Sequence, residues 1–427
     1  MWQKWRLKLT GASINNQEPD KKNVVSSIFD DASQNKQKVS SLLKFPQEKT
    51  GTPGALNTNI VTEGLFFPRK NIKKAFPFGV DIGSTSIKIA QFGLSGDGLK
   101  LIDLHSENLP ESEYGSANKS KDIKETLKKL VQEKKLKGKA YVSIPSSFVT
   151  VKNIKIPKMP VKEVKPALIW ALKQDPSFDM NDDCFDYIIL NEDKIDKAED
   201  YSVLVIIAEK RDIYEQIEIF KAAGIEPLTV ETDAFANLAT LDFTRQLNRG
   251  EVILLLDFGQ DDTSLSIVVD KEVQFCRNIT VTGNILNESI ARKCGISLKE
   301  AEKIKQEFGL SEISKEYDEK ILNARVALEE STRELIVDVE HTFKYFSYQL
   351  TKSEIRNFDR IIVTGGSSLL KGFSKTLHES FKVPVDFIKP VDVKYVESEN
   401  NPKYVSLKDC TGLFSVAIGL ALTNIKY

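Results

Sequence analysis

Two stretches of the chain repeat one pattern and decide the fold: FGVDIGSTSIKI (Phe78–Ile89) and LLLDFGQDDTSL (Leu254–Leu265). Each is an apolar run that ends in Asp-x-Gly, followed by small or polar residues and a second run with strand character. They start 176 positions apart, which indicates an internal duplication. Because a strand follows each turn, where the dinucleotide fingerprint and the P-loop need a helix, both of those motifs are excluded.

The residue types in the two hairpins suit a phosphate site. Glycine lets the backbone N–H groups of a tight hairpin approach phosphate oxygens, hydroxyl groups add donors, and a lysine adds positive charge. We therefore predict that the phosphates contact Gly83, Ser84, Thr85, Ser86, Lys88, Gly259, Gln260 and Thr263. A single Asp-x-Gly hairpin would favour an ordinary β-turn, but two in equivalent places favour the phosphate site.

The acidic residue of each hairpin is a candidate metal ligand. Asp81 and Asp257 end their strands, and we expect them to face each other across a cleft. Two carboxylates in that arrangement suit a hydrated Mg²⁺ that bridges phosphates, since Mg²⁺ keeps several of its waters.

Two further segments extend the candidate site. Arg360–Leu370 is an apolar strand, a glycine pair and a helix start, so Gly365, Gly366 and Ser367 suit an α-phosphate and sugar. Standing alone, this segment would be an ordinary strand-to-helix turn. Glu302 and Lys305 are three residues apart on a predicted helix and share a face. They suit a ribose or adenine edge, although the spacing alone favours a surface ion pair.

Composition excludes several functional classes. The 427 residues carry 60 Lys+Arg and 61 Asp+Glu, a balance that excludes a generally basic nucleic-acid binder. Four widely spaced cysteines and three isolated histidines argue against a zinc site, a disulfide framework or histidine-based catalysis. Apolar runs are too short to cross a bilayer, and we expect no secretory signal. Strands and helices alternate, which predicts an α/β fold.

The near-zero net charge conceals an asymmetry. Residues 1–76 hold 13 basic and 6 acidic residues, a net charge of +7, so the remainder carries −8. This stretch is rich in Asn, Gln, Ser and Lys, which predicts a mostly disordered basic extension. Its Trp2 and Trp5 lie among basic residues and suit an anionic membrane surface or a partner groove. A plain tail is the simpler interpretation.

In this order, the motifs resemble those of the actin-like ATPase superfamily. The Asp81 hairpin resembles the first phosphate motif, the Asp257 hairpin the second, and Thr364–Leu370 the adenosine motif. A longer similarity points to the PilM family of type IV pilus assembly proteins, which is related to the division protein FtsA. It extends over Gly79–Phe92, Gly224–Ala236, Leu254–Leu310 and Ile361–Pro390.

The resemblance implies an actin-like fold with two lobes of duplicated mixed β-sheets flanked by helices. The first lobe is expected at 77–250, with a small inserted subdomain at about 110–224. The second lobe is expected at 251–404, and residues 405–427 are expected to return to the first lobe. The long basic extension 1–76 lies outside the resemblance and is atypical of the family.

The resemblance also implies the ligands. ATP with Mg²⁺ is expected in the cleft, with Glu302 and Lys305 holding the adenosine part. Gly283 is expected to contact the nucleotide, although the family usually has a glycine pair where this chain has Thr282-Gly283-Asn284.

The expected partner is a PilN-like bitopic inner-membrane protein, whose short cytoplasmic N-terminal peptide would dock in a groove formed by the inserted subdomain and its neighbour. Other pilus platform or motor components are further expected partners, and nucleic acid is not. The protein is accordingly expected in the cytoplasm, peripheral to the inner membrane.

Hydrolysis is open in this interpretation. Asp233 or Glu231 is placed to orient an attacking water, but Asp233 equally suits the N-cap of a helix predicted at Ala234–Leu247. Slow or absent turnover, with nucleotide acting as a conformational clamp, fits the family as well. Alternatives are an actin-like small-molecule (sugar-type) kinase, an FtsA-like division protein, and a component of the related type II secretion or competence apparatus. The sequence has no distinctive substrate-base loop for a kinase and no C-terminal basic amphipathic helix like that of FtsA.

Overall fold

The computed structural model describes residues 7–8, 65–66, 74–96, 98–110, 119–134, 136, 138–190, 200–311, 318–352, 354–389 and 411–425. Backbone contacts divide the chain into two compact units. The first comprises the described residues of Met1–Pro145, Ala208–Thr244 and Pro390–Tyr427, and the second comprises those of Ser146–Ile207 and Arg245–Lys389. The lobe boundaries expected above stay predictions. Within the described part of the chain, no helix is long and apolar enough to cross a membrane.

The strands, in chain order, are β1 (Leu7–Lys8), β2 (Leu65–Phe66), β3 (Lys74–Ala75), β4 (Phe78–Ile82), β5 (Ser86–Ser95), β6 (Gly98–Asn108), β7 (Lys139–Ile144), β8 (Val149–Pro157), β9 (Asp183–Ile189), β10 (Asp200–Glu209), β11 (Glu226–Thr232), β12 (Val252–Phe258), β13 (Thr263–Val269), β14 (Glu272–Asn278), β15 (Arg360–Thr364) and β16 (Val385–Phe387).

The α-helices are α1 (Lys119–Glu133), α2 (Val161–Lys173), α3 (Lys210–Ala222), α4 (Asp233–Phe243), α5 (Gly283–Cys294), α6 (Leu298–Phe308), α7 (Glu319–Tyr345), α8 (Phe373–Phe381) and α9 (Thr411–Ala421). A π-helical turn, Phe346–Leu350, follows α7, and a 3₁₀ turn, Gly366–Leu369, follows β15.

The first unit is built on a sheet with the order β1-β11-β7-β4-β5-β6-β2, and β3 also pairs with β5. Strands β4, β5 and β6 are antiparallel neighbours, whereas β7 runs parallel to both β4 and β11. All five residues of β4 are buried, which explains why its sequence is an almost continuous apolar run. The predicted extension 1–76 lies outside the described residues except for β1, β2 and the first strand residues at 74–76, and Trp2 and Trp5 are not described.

Two glycines bring helices against this sheet and against each other. A Cβ atom on Gly79 of β4 would lie 2.0 Å from the backbone oxygen of Ala417 in α9. A Cβ atom on Gly419 of α9 would lie 1.8 Å from the backbone oxygen of Ala236 in α4. Only glycine permits such close approach, so α9 packs tightly on β4 and α4.

The second unit contains a mixed sheet with the order β14-β13-β12-β15-β16. Strand β12 is antiparallel to β13 and parallel to β15, which is in turn parallel to β16. Its core joins buried residues of β12, such as Leu254 and Leu256, to buried residues of α7, such as Leu335. This packing fixes the ends of β12 and β15, where the candidate site lies.

A small separate sheet, β8-β10-β9, belongs to the second unit and carries α2 on one face. Val164, Leu168 and Leu172 of α2 are buried against Val203 and Val205 of β10. In sequence this module lies between β7 and α3, and both of those elements belong to the first unit. The chain between β7 and α3 therefore forms a module of one helix and three strands, and its assignment as the inserted subdomain of the first lobe stays a prediction.

Candidate functional site

The two Asp-x-Gly hairpins have equivalent turns. In the first, Ile82 pairs with Ile87, and the N–H of Gly83 donates to the backbone oxygen of Ser86 at 3.0 Å. In the second, Phe258 pairs with Thr263, and the N–H of Gly259 donates to the backbone oxygen of Asp262 at 2.9 Å. Each turn therefore leaves four residues between the paired strands, as the repeated sequence predicted.

Asp81 in the first unit lies beside a lysine. It pairs across the hairpin with Lys88, whose Nζ lies 3.3 Å from the Asp81 Oδ2. Lys88 Nζ also lies within 3.3 Å of the position that a Cβ on Gly83 would occupy. The ammonium group thus covers the turn and offsets the Asp81 charge, because opposite charges across a hairpin attract.

Asp257 in the second unit has a different neighbour. The residue opposite it in the hairpin is Ser264, so this turn has no equivalent of Lys88. Gly365 has a φ of +85°, and a Cβ on it would lie 2.5 Å from the Asp257 Oδ1. Glycine at position 365 therefore permits both the positive φ and the close approach of the Asp257 carboxylate.

Three segments of the second unit meet beside this turn. The N–H of Gly283, at the start of α5, donates to the Gly259 backbone oxygen at 3.0 Å. Ser367 Oγ donates to the same oxygen at 2.8 Å. A Cβ on Gly283 would lie 2.3 Å from Ser367 Oγ and 2.5 Å from Gln260 Oε1. The hairpin, the N-terminus of α5 and the Gly365-Gly366 turn are thus held in contact.

Glu302 and Lys305 join this group from α6. Ser297 and Glu300 form a capping box that fixes the start of the helix, as their spacing predicts. Lys305 is only 5 % exposed, and its Nζ donates to Glu302 Oε2 and to the Gly283 backbone oxygen, both at 3.1 Å. The lysine is buried, so the two residues are not a simple surface ion pair.

The charges of this pair respond to opposing effects. Burial would raise the pKa of Glu302, but the Lys305 ammonium and hydrogen bonds from Asn287, Lys305 and Gln260 outweigh it, and the pKa lies below its ordinary value. Burial lowers the pKa of Lys305, and the Glu302 carboxylate offsets that effect only in part. The pair is therefore a desolvated charge site open to ligand atoms on the more exposed Glu302 side.

Two asparagines complete the group, and the sequence reasoning missed both. Asn284 accepts a hydrogen bond from Gln260 and donates to Asp261, and Asn287 donates to Glu302. They are three residues apart and so share a face of α5, a spacing that was available in the sequence.

Two buried polar atoms here have no hydrogen-bond partner among the described residues: Thr263 Oγ1 and Asn287 Oδ1. A buried unpaired oxygen is costly, so such atoms mark positions that a ligand or water satisfies. By contrast, a Cβ on Gly366 would meet nothing within 4 Å, so this turn leaves open space.

The remaining predicted residues lie in the first unit. Ser84, Thr85 and Ser86 form the turn that Gly83 begins, as described. Glu231 is in β11 and Asp233 is the first residue of α4, while Thr232 occupies the N-cap position without a side-chain cap bond. Asp233 is therefore not the N-cap, and its role in hydrolysis stays a prediction. Within the described ranges, no group of three or more His, Cys, Asp or Glu residues could hold a metal ion.

A model of the family described as "Type IV pilus assembly protein PilM" matches residues 79–425. The chain belongs to this family. Among solved structures, a PilM–PilN type IV pilus biogenesis complex is similar at 25 % identity and a TM-score of 0.67, over 84 % of this chain and all of that chain.

Two more distant structures align with more than four-fifths of this chain. The ethanolamine utilization protein EutJ from Carboxydothermus hydrogenoformans is 14 % identical with a TM-score of 0.47, over 84 % of this chain and 94 % of that chain. MreB5 of Spiroplasma citri, bound to AMPPNP, is 15 % identical with a TM-score of 0.45, over 82 % and 96 %. The family and the actin-like fold expected from the motifs are both confirmed.

Proposed function

We propose that this PilM-family protein is an ATP-binding scaffold of a type IV pilus or related secretion platform. It docks the cytoplasmic N-terminal peptide of a PilN-like inner-membrane protein, and the bound nucleotide modulates that docking. The observation that carries the nucleotide part is the convergence of Gln260, Gly283, Glu302 and Lys305 from one hairpin and two helices.

The chemistry of these groups fits a nucleotide. Glu302 has a charged, partly exposed carboxylate that can accept hydrogen bonds from ribose hydroxyls, and Lys305 holds it in place. Thr263 Oγ1 is a buried hydroxyl that a phosphate oxygen would satisfy. A Cβ on Gly366 would meet nothing within 4 Å, so this turn leaves room for a phosphate to approach the backbone.

Mg²⁺ belongs to this proposal through Asp81 and Asp257. Mg²⁺ is usually held by one or two carboxylates together with phosphates and waters, so a cluster of three protein ligands is not needed. Bound Mg²⁺ would neutralise phosphate charge, and Asp257 faces Ser264 across its hairpin, whereas Asp81 faces Lys88. Asp81 would contribute its carboxylate once Lys88 turns toward phosphate.

Partner docking is supported by the family and by the similarity to a structure of a PilM–PilN complex. We infer that the inserted subdomain carries part of the docking surface. Its helix α2 presents Trp170, whose side chain is 69 % exposed and is unusually large for an open surface. A peptide held there by a membrane-anchored protein would place this chain at the inner face of the membrane.

The nucleotide site is tested by calorimetric titration of Mg·ATP into the full chain and two matched variants. Lys305→Met removes the buried ammonium, and Lys303→Met removes an exposed one from the same helix. We expect the Lys305 variant to lose at least about tenfold in affinity and the Lys303 variant to match the wild type. Equal affinities in all three proteins, with intact thermal unfolding, would contradict the proposed site.

The docking part is tested with synthetic peptides from the cytoplasmic tails of bitopic proteins encoded beside this one. Replacing Trp2 and Trp5 by Phe leaves Trp170 as the single tryptophan reporter. We expect a saturable change in Trp170 fluorescence with the cognate peptide, and an affinity that differs between ATP-bound and nucleotide-free protein. A scrambled peptide is the control, and identical responses to both peptides would refute docking at α2.

A further inference from the structure

Helix α1 has a basic surface that the proposed function does not use. The helix holds five lysines, no arginine and three acidic residues, a net charge of +2, and four more lysines between its end and Lys139 bring the sequence Lys119–Lys139 to +6 in a protein whose net charge is −1. The apolar residues of α1 are buried against the first unit, which forces the lysine-rich face outward. Its buried residues are Ile123, Thr126, Leu127, Leu130 and Val131.

Three exposed lysines and the half-buried Lys124 share one side of the helix. Lys121 and Lys128 are seven residues apart, close to two helical turns, and lie on the same face, with Lys124 and Lys129 flanking them. Lys121 is 73 % and Lys129 58 % exposed. No acidic side chain of the described ranges lies within 4 Å of Lys124 or Lys128, so their charges are not paired within this part of the chain.

Neighbouring groups do not cancel this charge. Glu125, Glu107 and Glu133 pair with Lys121 and Lys129, but these pairs are exposed and contribute little binding energy of their own. The adjacent helix α3 has three basic and three acidic residues and is neutral. The surface of α1 therefore keeps a positive potential toward solvent.

We propose that the α1 face, defined as Lys121, Lys124, Lys128 and Lys129, adsorbs directly to anionic phospholipid. Lysine ammonium groups act as point charges without the planar fork that favours bidentate recognition of one phosphate, so a row of lysines fits a diffuse anionic surface. Each lysine near such a surface contributes additively, and four to eight of them suffice for measurable binding. The apolar residues stay in the core, so the contact is electrostatic and involves no insertion into the bilayer.

Vesicle co-sedimentation of the full chain tests this proposal. The probes are phosphatidylglycerol–phosphatidylethanolamine vesicles and neutral phosphatidylcholine vesicles, at low salt and at about 0.3 M salt. The main variant is Lys121→Gln, Lys124→Gln and Lys128→Gln, since glutamine keeps helix propensity. The matched control neutralises three exposed lysines of second-unit helices: Lys299→Gln, Lys344→Gln and Lys375→Gln.

We expect the wild type and the control to bind the phosphatidylglycerol vesicles, and the α1 variant to bind about a hundredfold more weakly. High salt should abolish binding of all three, and neutral vesicles should bind none. Circular dichroism melts that match the wild type establish that the α1 variant is folded.

Four results would overturn the proposal. The first is absence of wild-type binding to phosphatidylglycerol vesicles, and the second is an equal loss of vesicle binding in the α1 variant and the control. The third is a loss of vesicle binding only when Lys4, Arg6 and Lys8 of the N-terminal segment are neutralised. The fourth is binding of duplex DNA through α1 without binding of vesicles.

Discussion

The two duplicated hairpins have the same backbone but different chemical surroundings. Both close a four-residue turn with the same glycine N–H bond, yet Lys88 stands opposite Asp81 whereas Ser264 stands opposite Asp257. The surroundings therefore distinguish an ion-paired carboxylate, Asp81, from one that lies beside the Gly365 turn, Asp257. Equivalent positions in a repeat can share a fold and differ in what they are able to bind.

The largest expected effect comes from removing the carboxylate that faces Ser264 across its hairpin. Asp257→Asn should lower Mg·ATP affinity by about a hundredfold, because it removes a carboxylate without releasing a lysine from the facing position, which Ser264 occupies. Calorimetry on the full chain measures this loss. Asp182→Asn, an exposed aspartate of the inserted subdomain, is the control and should bind like the wild type.

A smaller effect is expected from the ion-paired carboxylate. Asp81→Asn should lower Mg·ATP affinity by only about tenfold. The same change frees Lys88 from its ion pair, so its ammonium group can contact phosphate and offset part of the loss. The same titration applies, and the double variant Asp81→Asn with Lys88→Met should be weaker than Asp81→Asn alone. If the Asp81 variant binds more weakly than the Asp257 variant, the contrast between the hairpins is wrong.

The turns themselves should differ in tolerance to a side chain. A Cβ on Gly259 would lie 2.6 Å from the Asp262 backbone oxygen, whereas one on Gly83 would lie 3.2 Å from the Ser86 backbone oxygen. Gly259→Ala should therefore lower the free energy of unfolding by about 2–3 kcal/mol, and Gly83→Ala by about 1 kcal/mol or less. Urea unfolding of each variant measures both values, and equal losses would contradict the difference in packing.

The smallest effect concerns an aspartate whose surroundings are dominated by burial. In β9, burial raises the pKa of Asp186 to about 6, against weaker lowering by the Tyr187 N–H and Lys165. The pKa of an unfolded aspartate is about 3.9. Burial of the charged carboxylate therefore lowers stability above pH 6, and this cost disappears as the pH falls from about 6 to about 3.9.

Asp186→Asn should therefore stabilise the protein by about 1–2 kcal/mol at pH 8, after allowing for partial exposure, and by almost nothing near pH 4. Paired urea curves at the two pH values check this sign. A stabilisation that grows toward acid pH would show that the Asp186 carboxylate is held charged in the folded protein.

Much of the fold followed from local sequence signals. The repeated Asp-x-Gly pattern predicted both hairpins, and the Ser297–Glu300 spacing predicted the start of α6. Helix ends were less accurate, because α4 was expected to run to Leu247 but stops at Phe243, where no glycine or proline marks the end. Elements whose signals lie within a few residues can be predicted from the sequence, whereas helix ends that are set by tertiary packing cannot.

The candidate site was only partly readable for the same reason. Gln260, Gly283 and Lys305 were each singled out by a motif, but the hydrogen bonds that join them span up to 45 residues. Burial of Lys305 depends on how α5 and α6 pack on the hairpin, so its spacing to Glu302 alone suggested a surface pair. Asn284 and Asn287 were missed because an amide on a helix acquires meaning only from the groups opposite it.

Photocross-linking of 8-azido-ATP to the full chain, followed by peptide mapping, tests the central claim most directly. We predict that labelling concentrates in peptides that contain Gly283–Cys294, Leu298–Phe308 or Gly366–Leu369, and that excess ATP prevents it. ATP-protected labelling elsewhere in the chain, or labelling that ATP leaves unchanged, would contradict a nucleotide site built on these segments.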